Sequence, residues 1–201
     1  MSGLIPILIA LLLLLNLNLL GSSRIDALIR GVALQALLLL GLAVASQGGV
    51  LPWHGWLFAG LTGLVKVLLL PHLMRRALGL TGTLREEEPL VGYPLSLFLG
   101  LACVGASIWG ADRLPFPVPV DPLVAASAFF TVAVGLFLIV ARRKAITQIL
   151  GYLSMENGIY ALGLAVAVDS PLIVEMGVLL DVFVGDFVMG VIARHIQRTF
   201  R

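Results

Sequence analysis

Seven apolar runs, each about as long as a bilayer is thick, leave this chain almost nothing from which to build a soluble domain. They cover residues 4–20, 28–47, 53–72, 90–111, 123–141, 145–168 and 172–193. A helix that crosses a membrane needs about 20 predominantly apolar residues. Lipid offers no partner to a backbone N–H or C=O, so each run is predicted to be helical. The alternation expected of a membrane barrel strand is absent. Composition points the same way: only 12% of residues are charged, against roughly 25% in soluble domains. The expected fold class is all-α, a polytopic membrane protein with about seven transmembrane helices.

Orientation follows from the basic residues, which gather in cytoplasmic loops. Taking alternate ends, one side collects Arg24 and Arg30, then Arg75, Arg76 and Arg85, then Arg142, Arg143 and Lys144, then Arg194, Arg198 and Arg201. The other side has Arg113, and Lys66 falls inside a run. That division predicts an odd number of helices, the N-terminus outside and the C-terminus cytoplasmic, in a cell inner (plasma) membrane. The first run lacks a preceding charged region and a small-x-small cleavage site, so it reads as a retained helix rather than a signal peptide. Trp53 and Trp56 open the third run as interfacial aromatics do.

Between the runs, residues 74–89 form the longest loop, and Glu86, Glu87 and Glu88 within it read as a solvated turn, or as a docking patch for a soluble partner. Residues 112–122 carry prolines at 115, 117, 119 and 122, which suits an extended linker. The expected organisation is a four-helix membrane segment (1–112), a Pro-rich outer linker (113–122) and a three-helix segment (123–201), with no internal repeat.

Several function classes are set aside at once. No basic stripe interleaved with aromatics appears, so no nucleic-acid partner is expected. Cys103 is the single cysteine and reads as a small packing residue. There is no phosphate-cradling loop, zinc motif or nucleophile–histidine pair. His54, His72 and His195 fall at helix ends on both sides. No catalytic residue, metal or cofactor is expected.

The informative residues are ionisable groups at bilayer depth: Lys66, Glu156, Glu175, Asp181 and Asp186. Each costs about 2.5–3.5 kcal/mol on insertion scales, so such groups face protein and usually serve a function. Glu156 and Asp181 sit near the middle of consecutive antiparallel runs, at similar depth. Held away from water, they are candidates for a proton relay, or for protonated acids that bond helix to helix. At steps of four, Tyr152, Glu156 and Tyr160 share one face, where two phenols can reach the carboxyl and Asn157 adds another polar group. Gly177, Asp181, Gly185 and Met189 share a face suited to close helix approach. Glu175 stands one turn from the outer end, Asp186 nearer the cytoplasmic end. Lys66 either snorkels to the interface or pairs with an acid. Asn16, Asn18 and Gln35 are expected to bond across helices.

The segments from Ile149 to Tyr160 (ILGYLSMENGIY) and from Val174 to Asp181 (VEMGVLLD), continued by VFVGDFVMG to Gly190, resemble hydrogenase-4 component E. That family belongs to membrane-bound nickel–iron hydrogenase and formate hydrogenlyase-like complexes. Its C-terminal part is similar to the three-helix K subunit of respiratory complex I and the C subunit of multi-subunit cation/proton antiporters. The resemblance covers most of the chain in length and helix count and is sharp over residues 140–195. It implies a non-catalytic subunit of a proton-pumping oxidoreductase complex. The implied partners are large antiporter-like membrane subunits and hydrogenase-type subunits. It also implies a carboxylate on each of two consecutive helices: Glu156 for the first, and Asp181 or Glu175 for the second. Two other readings compete: a stand-alone seven-helix transporter and a purely structural membrane subunit.

Overall fold

A computed structural model describes residues 3–46, 53–81, 85–86, 89–114 and 121–166. The seventh expected run, with Glu175, Asp181 and Asp186, lies outside the described residues, as do Glu87 and Glu88. Within them the chain is helical: α1 (Leu4–Gly21), α2 (Ile25–Ser46), α3 (Trp53–Gly63), a π-helical turn (Leu64–Leu69), α4 (Leu70–Thr81), α5 (Tyr93–Arg113), α6 (Pro122–Ala141) and α7 (Ala145–Val166). α3, the π turn and α4 follow one another without a break and form the third run. Four helices, α1, α2, α5 and α6, are long and apolar enough to cross a membrane. This is a multi-pass membrane protein, and its surface shows why. Phe98 is 67% exposed, Val140 71% and Leu14 64%, while Asn16, Gln35, Thr131 and Ser154 are buried completely. That arrangement, apolar outside and polar inside, suits lipid as the solvent.

Local chemistry sets the helix ends. Asp121 accepts a hydrogen bond from the Leu123 backbone N–H at 2.9 Å, with Pro122 opening α6, a cap and first-turn proline in the expected places. α4 carries the third run to Thr81, beyond the expected end at residue 72. Met74, Ala77 and Leu78 are buried in the cluster that includes Ile25 and Leu28 of α2, so tertiary packing continues the helix where the sequence turns polar.

The main core cluster draws from both sides of the Pro-rich linker: Leu19, Leu28 and Met74 pack with Phe130, Leu138 and Leu150. α6 and α7 meet backbone to backbone. A Cβ added at Gly135 would fall 2.3 Å from the Met155 N, and one at Gly151 would fall 2.8 Å from the Gly135 O. Only glycine permits that approach, which fixes α7 rigidly against α6.

The loops rich in arginine meet at one end of the bundle. Glu86 N–H donates to the Ser23 O at 2.9 Å, and Leu90 N–H to the Ala141 O at 2.9 Å. Lys144 Nζ donates to the Arg85 carbonyl. The expectation of a solvated acidic turn fails at Glu86, which is 2% exposed. Its carboxylate accepts from Arg143 N (3.1 Å), Lys144 N (3.3 Å) and Thr147 Oγ1 (2.8 Å). The start of α7 has unsatisfied N–H groups and only basic residues before it, so an acid from a distant loop supplies the cap. Arg142, equally buried, does the converse. Its Nη2 donates to the Leu20 O at the end of α1 at 2.7 Å, and its guanidinium lies 4.6 Å from the Tyr93 ring centroid. Burial lowers the Arg142 pKa from its usual range, while nearby Tyr93 and Glu86 oppose that shift. Tyr93 OH closes the circuit by donating to the Glu86 O at 2.7 Å.

Candidate functional site

The site is built where the third run crosses α7. A stripe at strict four-residue spacing drifts around a regular helix of 3.6 residues per turn. The π turn is wider and offsets that drift, so Thr62, Lys66, Leu70 and Met74 are all buried, while Leu64 and Leu68 remain exposed. The π turn therefore aims Lys66 inward.

Opposite it, the glycine-mediated contact with α6 holds α7 and presents Glu156. Lys66 Nζ donates to Glu156 Oε1 at 2.7 Å. The two side chains are 8% and 3% exposed. Glu156 Oε2 is buried without a hydrogen-bond partner among the described residues. Of the two readings open for Lys66, pairing with an acid is the one the geometry bears out, not snorkelling. The partner is ninety positions away, a separation no local pattern encodes.

Three small cavities, each of about 10 Å³, border Lys66. That is room for about one water each. One is lined by Thr62, Asn157 and Tyr160, another by Ile29, Met74 and Leu150. Tyr160 thus reaches the site as a cavity wall. Tyr152 is half-buried on the same helix.

A second polar group lies beside the pair. Asn16 Nδ2 donates to Thr131 Oγ1 at 2.8 Å. Gln35 Nε2 donates to Asn16 Oδ1 at 2.6 Å and to Ser154 Oγ at 3.1 Å. Asn157 Nδ2 makes long bonds of 3.4 Å to the Gln35 Oε1 and the Val32 O. This network joins α1, α2, α6 and α7 at the level of the ion pair. The expected cross-helix role of Asn16 and Gln35 is present. Asn18 is exposed instead, because two residues turn the side chain by about 200° around the helix. Sequence reasoning missed Thr131 and Ser154. Both lie on apolar helices at the depth of residues already singled out, which is the signal that would have found them.

Comparison with known proteins extends this picture. The chain is 33% identical over 141 residues to an uncharacterized protein of Mycobacterium tuberculosis, covering 68% of this chain and 63% of that protein. It is 31% identical over 138 residues to hydrogenase-4 component E of Escherichia coli K12, again 68% of this chain and 63% of the relative. The same protein of Shigella flexneri matches equally. These matches mark distant homology, and they span a little under two thirds of each relative's length. No protein-family model matches the chain. No solved structure matches it.

Proposed function

We propose that this chain is a non-catalytic membrane subunit of a hydrogenase-4-like, complex I-related assembly, and that Lys66 and Glu156 form part of a mid-membrane pathway for protons or cations. The observation that carries this reading is the 2.7 Å ion pair at bilayer depth. Two charges removed from water are costly even when paired, and a well-packed apolar substitute is often neutral or more stable. A membrane protein that keeps such a pair has a use for its charge. Distant homology to hydrogenase-4 component E supports the kind of assembly. Its partners would be large antiporter-like subunits and hydrogenase-type subunits.

In this reading Glu156 gives and receives a proton. Lys66 holds the negative form in place, and loss or gain of the proton alters the attraction between the third run and α7. Asp181 is the proposed second carboxylate, with Glu175 as its alternative and Asp186 nearer the basic end. Asn157, Tyr152 and Tyr160 are proposed to support the acid.

The test is made in the assembled complex. Glu156→Gln keeps the shape and removes the exchangeable charge; Asp181→Asn does the same for the second acid. Proton translocation should fall at least tenfold on the order of a general acid–base loss, while assembly and electron transfer persist. Undiminished pumping by Glu156→Gln would refute the relay. The purely structural reading is favoured by the Asn16–Gln35–Ser154 network, which does hold helices together, and it requires that same undiminished pumping.

A further inference from the structure

On the outer face of the third run, opposite in character to the ion pair, a groove of about 650 Å³ runs between α2 and the stretch from Leu64 to Arg75. Leu34 and Leu37 line one wall, Leu64 and Leu68 the other, and all four are exposed. Its polar lining is confined to one end: Arg30 from α2, and His72 and Arg75 from α4. An apolar slot with cations at one end has the polarity of a lipid.

We infer that this groove binds an acidic phospholipid, with an acyl chain along the leucines and the phosphate between Arg30 and Arg75. The charge balance supports that occupant. Both arginines lean on a single carboxylate, Asp26, at 2.7 Å from Arg30 Nη2 and 3.4 Å from Arg75 Nε. One acid between two guanidinium groups leaves a net positive charge. Each guanidinium has five N–H donors in a planar fork, a geometry that matches phosphate oxygens. Both arginine side chains are more than half exposed, so donors remain free to turn outward. The position also fits. Arg30 and Arg75 stand at the end where the arginine-rich loops meet, which is the headgroup level of that leaflet. Basic pockets between helices at such a level take anionic headgroups.

The charge at one end of the groove, rather than its size, selects the occupant: a headgroup carrying phosphate satisfies Arg30 and Arg75, which an apolar helix face does not. An acyl chain is thin enough to enter the groove. Ala33 and Pro71 line both the groove and one of the cavities at Lys66, so a bound acyl chain would back directly onto the wall behind the ion pair.

The test uses the full chain, purified and stripped of lipid in a neutral detergent, then titrated with phosphatidylglycerol or phosphatidylcholine of identical acyl chains. Native mass spectrometry reads retained lipid. The expected result is one retained phosphatidylglycerol, with preference over phosphatidylcholine on the order of tenfold. The double variant Arg30→Gln/Arg75→Gln should lose that preference. Leu34→Trp should fill the groove and expel the lipid with both arginines intact. Arg76→Gln removes an exposed arginine at the same end but outside the groove, and should leave binding unchanged. Equal retention of the two lipids, or selectivity that survives in the double variant, would overturn the proposal. So would retention unaffected by Leu34→Trp, or displacement of the lipid by inorganic phosphate alone. A disulfide forming readily between cysteines placed at position 34 and within 172–193, with Cys103 replaced by alanine, would put the chain's own last run in the groove and overturn it as well.

Discussion

Truncating Glu86 to alanine should cost the folded chain about 3 kcal/mol. The carboxylate accepts three hydrogen bonds at the start of α7, from Arg143 N, Lys144 N and Thr147 Oγ1. Bonds to an ionised group are worth about 1.5–3 kcal/mol each. Here two of the three exceed 3.0 Å and all share one group, so the sum is not reached. Loss of a helix cap by itself costs about 1 kcal/mol, and burying Thr147 without its acceptor adds about 1–2 kcal/mol more. Glu86→Gln keeps the shape and one acceptor oxygen, so its cost should be about 1 kcal/mol. In a chain of this size 1 kcal/mol moves the midpoint by roughly 2–4 °C. Thermal unfolding in detergent micelles, followed by far-ultraviolet circular dichroism at one fixed scan rate, should therefore drop by about 6–12 °C for the alanine variant. The glutamine variant should fall by about a third of that. An alanine variant that unfolds with the wild type would show that Glu86 is not the cap of α7.

Two further outcomes follow from packing and charge. Gly135→Ala drives a methyl into the α7 backbone and should destabilise by about 2–3 kcal/mol, whereas Gly105→Ala meets open space and should be neutral in the same unfolding assay. Breaking the ion pair by Lys66→Met or by Glu156→Leu alone should cost about 3–5 kcal/mol, and the double variant should recover most of that; a double variant as unstable as the sum of the singles would mean the two charges are not coupled.

Much of the membrane architecture was legible because bilayer thickness imposes a length on every helix. All six described runs begin within three residues of where hydropathy puts them, the third alone running well past its expected end, and the described loops that share positive charge do meet at one end. Lys66 and Glu156 were legible as a pair of anomalies, since a charge within an apolar run stands out by depth. Their union was not, because nothing local to position 66 encodes a partner at 156, and the π turn that aims the lysine has no residue signature. Phenol hydroxyls from Tyr152 and Tyr160 were the expected company for the acid, and the described geometry adds a lysine from another helix, which no local pattern announced. Glu86 was misread for a physical reason: three consecutive glutamates look solvated, and only tertiary contact reveals that one of them faces bare N–H groups. The missing cap was nevertheless written in the sequence, since α7 opens after Arg142, Arg143 and Lys144 with no acceptor of its own.

The chain contains its own standard for a structural carboxylate, and Glu156 does not meet it. Glu86 is buried and accepts three donors, so its charge is satisfied by N–H and O–H groups that cannot leave. Glu156 is equally buried, yet one oxygen takes a single lysine and the other has no hydrogen-bond partner among the described residues. Cross-helix adhesion at that depth is already supplied by the neutral side chains of Asn16, Gln35, Thr131 and Ser154, which carry no charge into the membrane. A second adhesive that does carry charge adds a desolvation cost for contacts the neutral network can provide. Cavities of single-water size border the lysine. An acid with one unpartnered oxygen, a lysine against the other and small cavities at that lysine are what the proposed relay rests on, whereas a structural staple needs only the saturated hydrogen bonding that Glu86 displays.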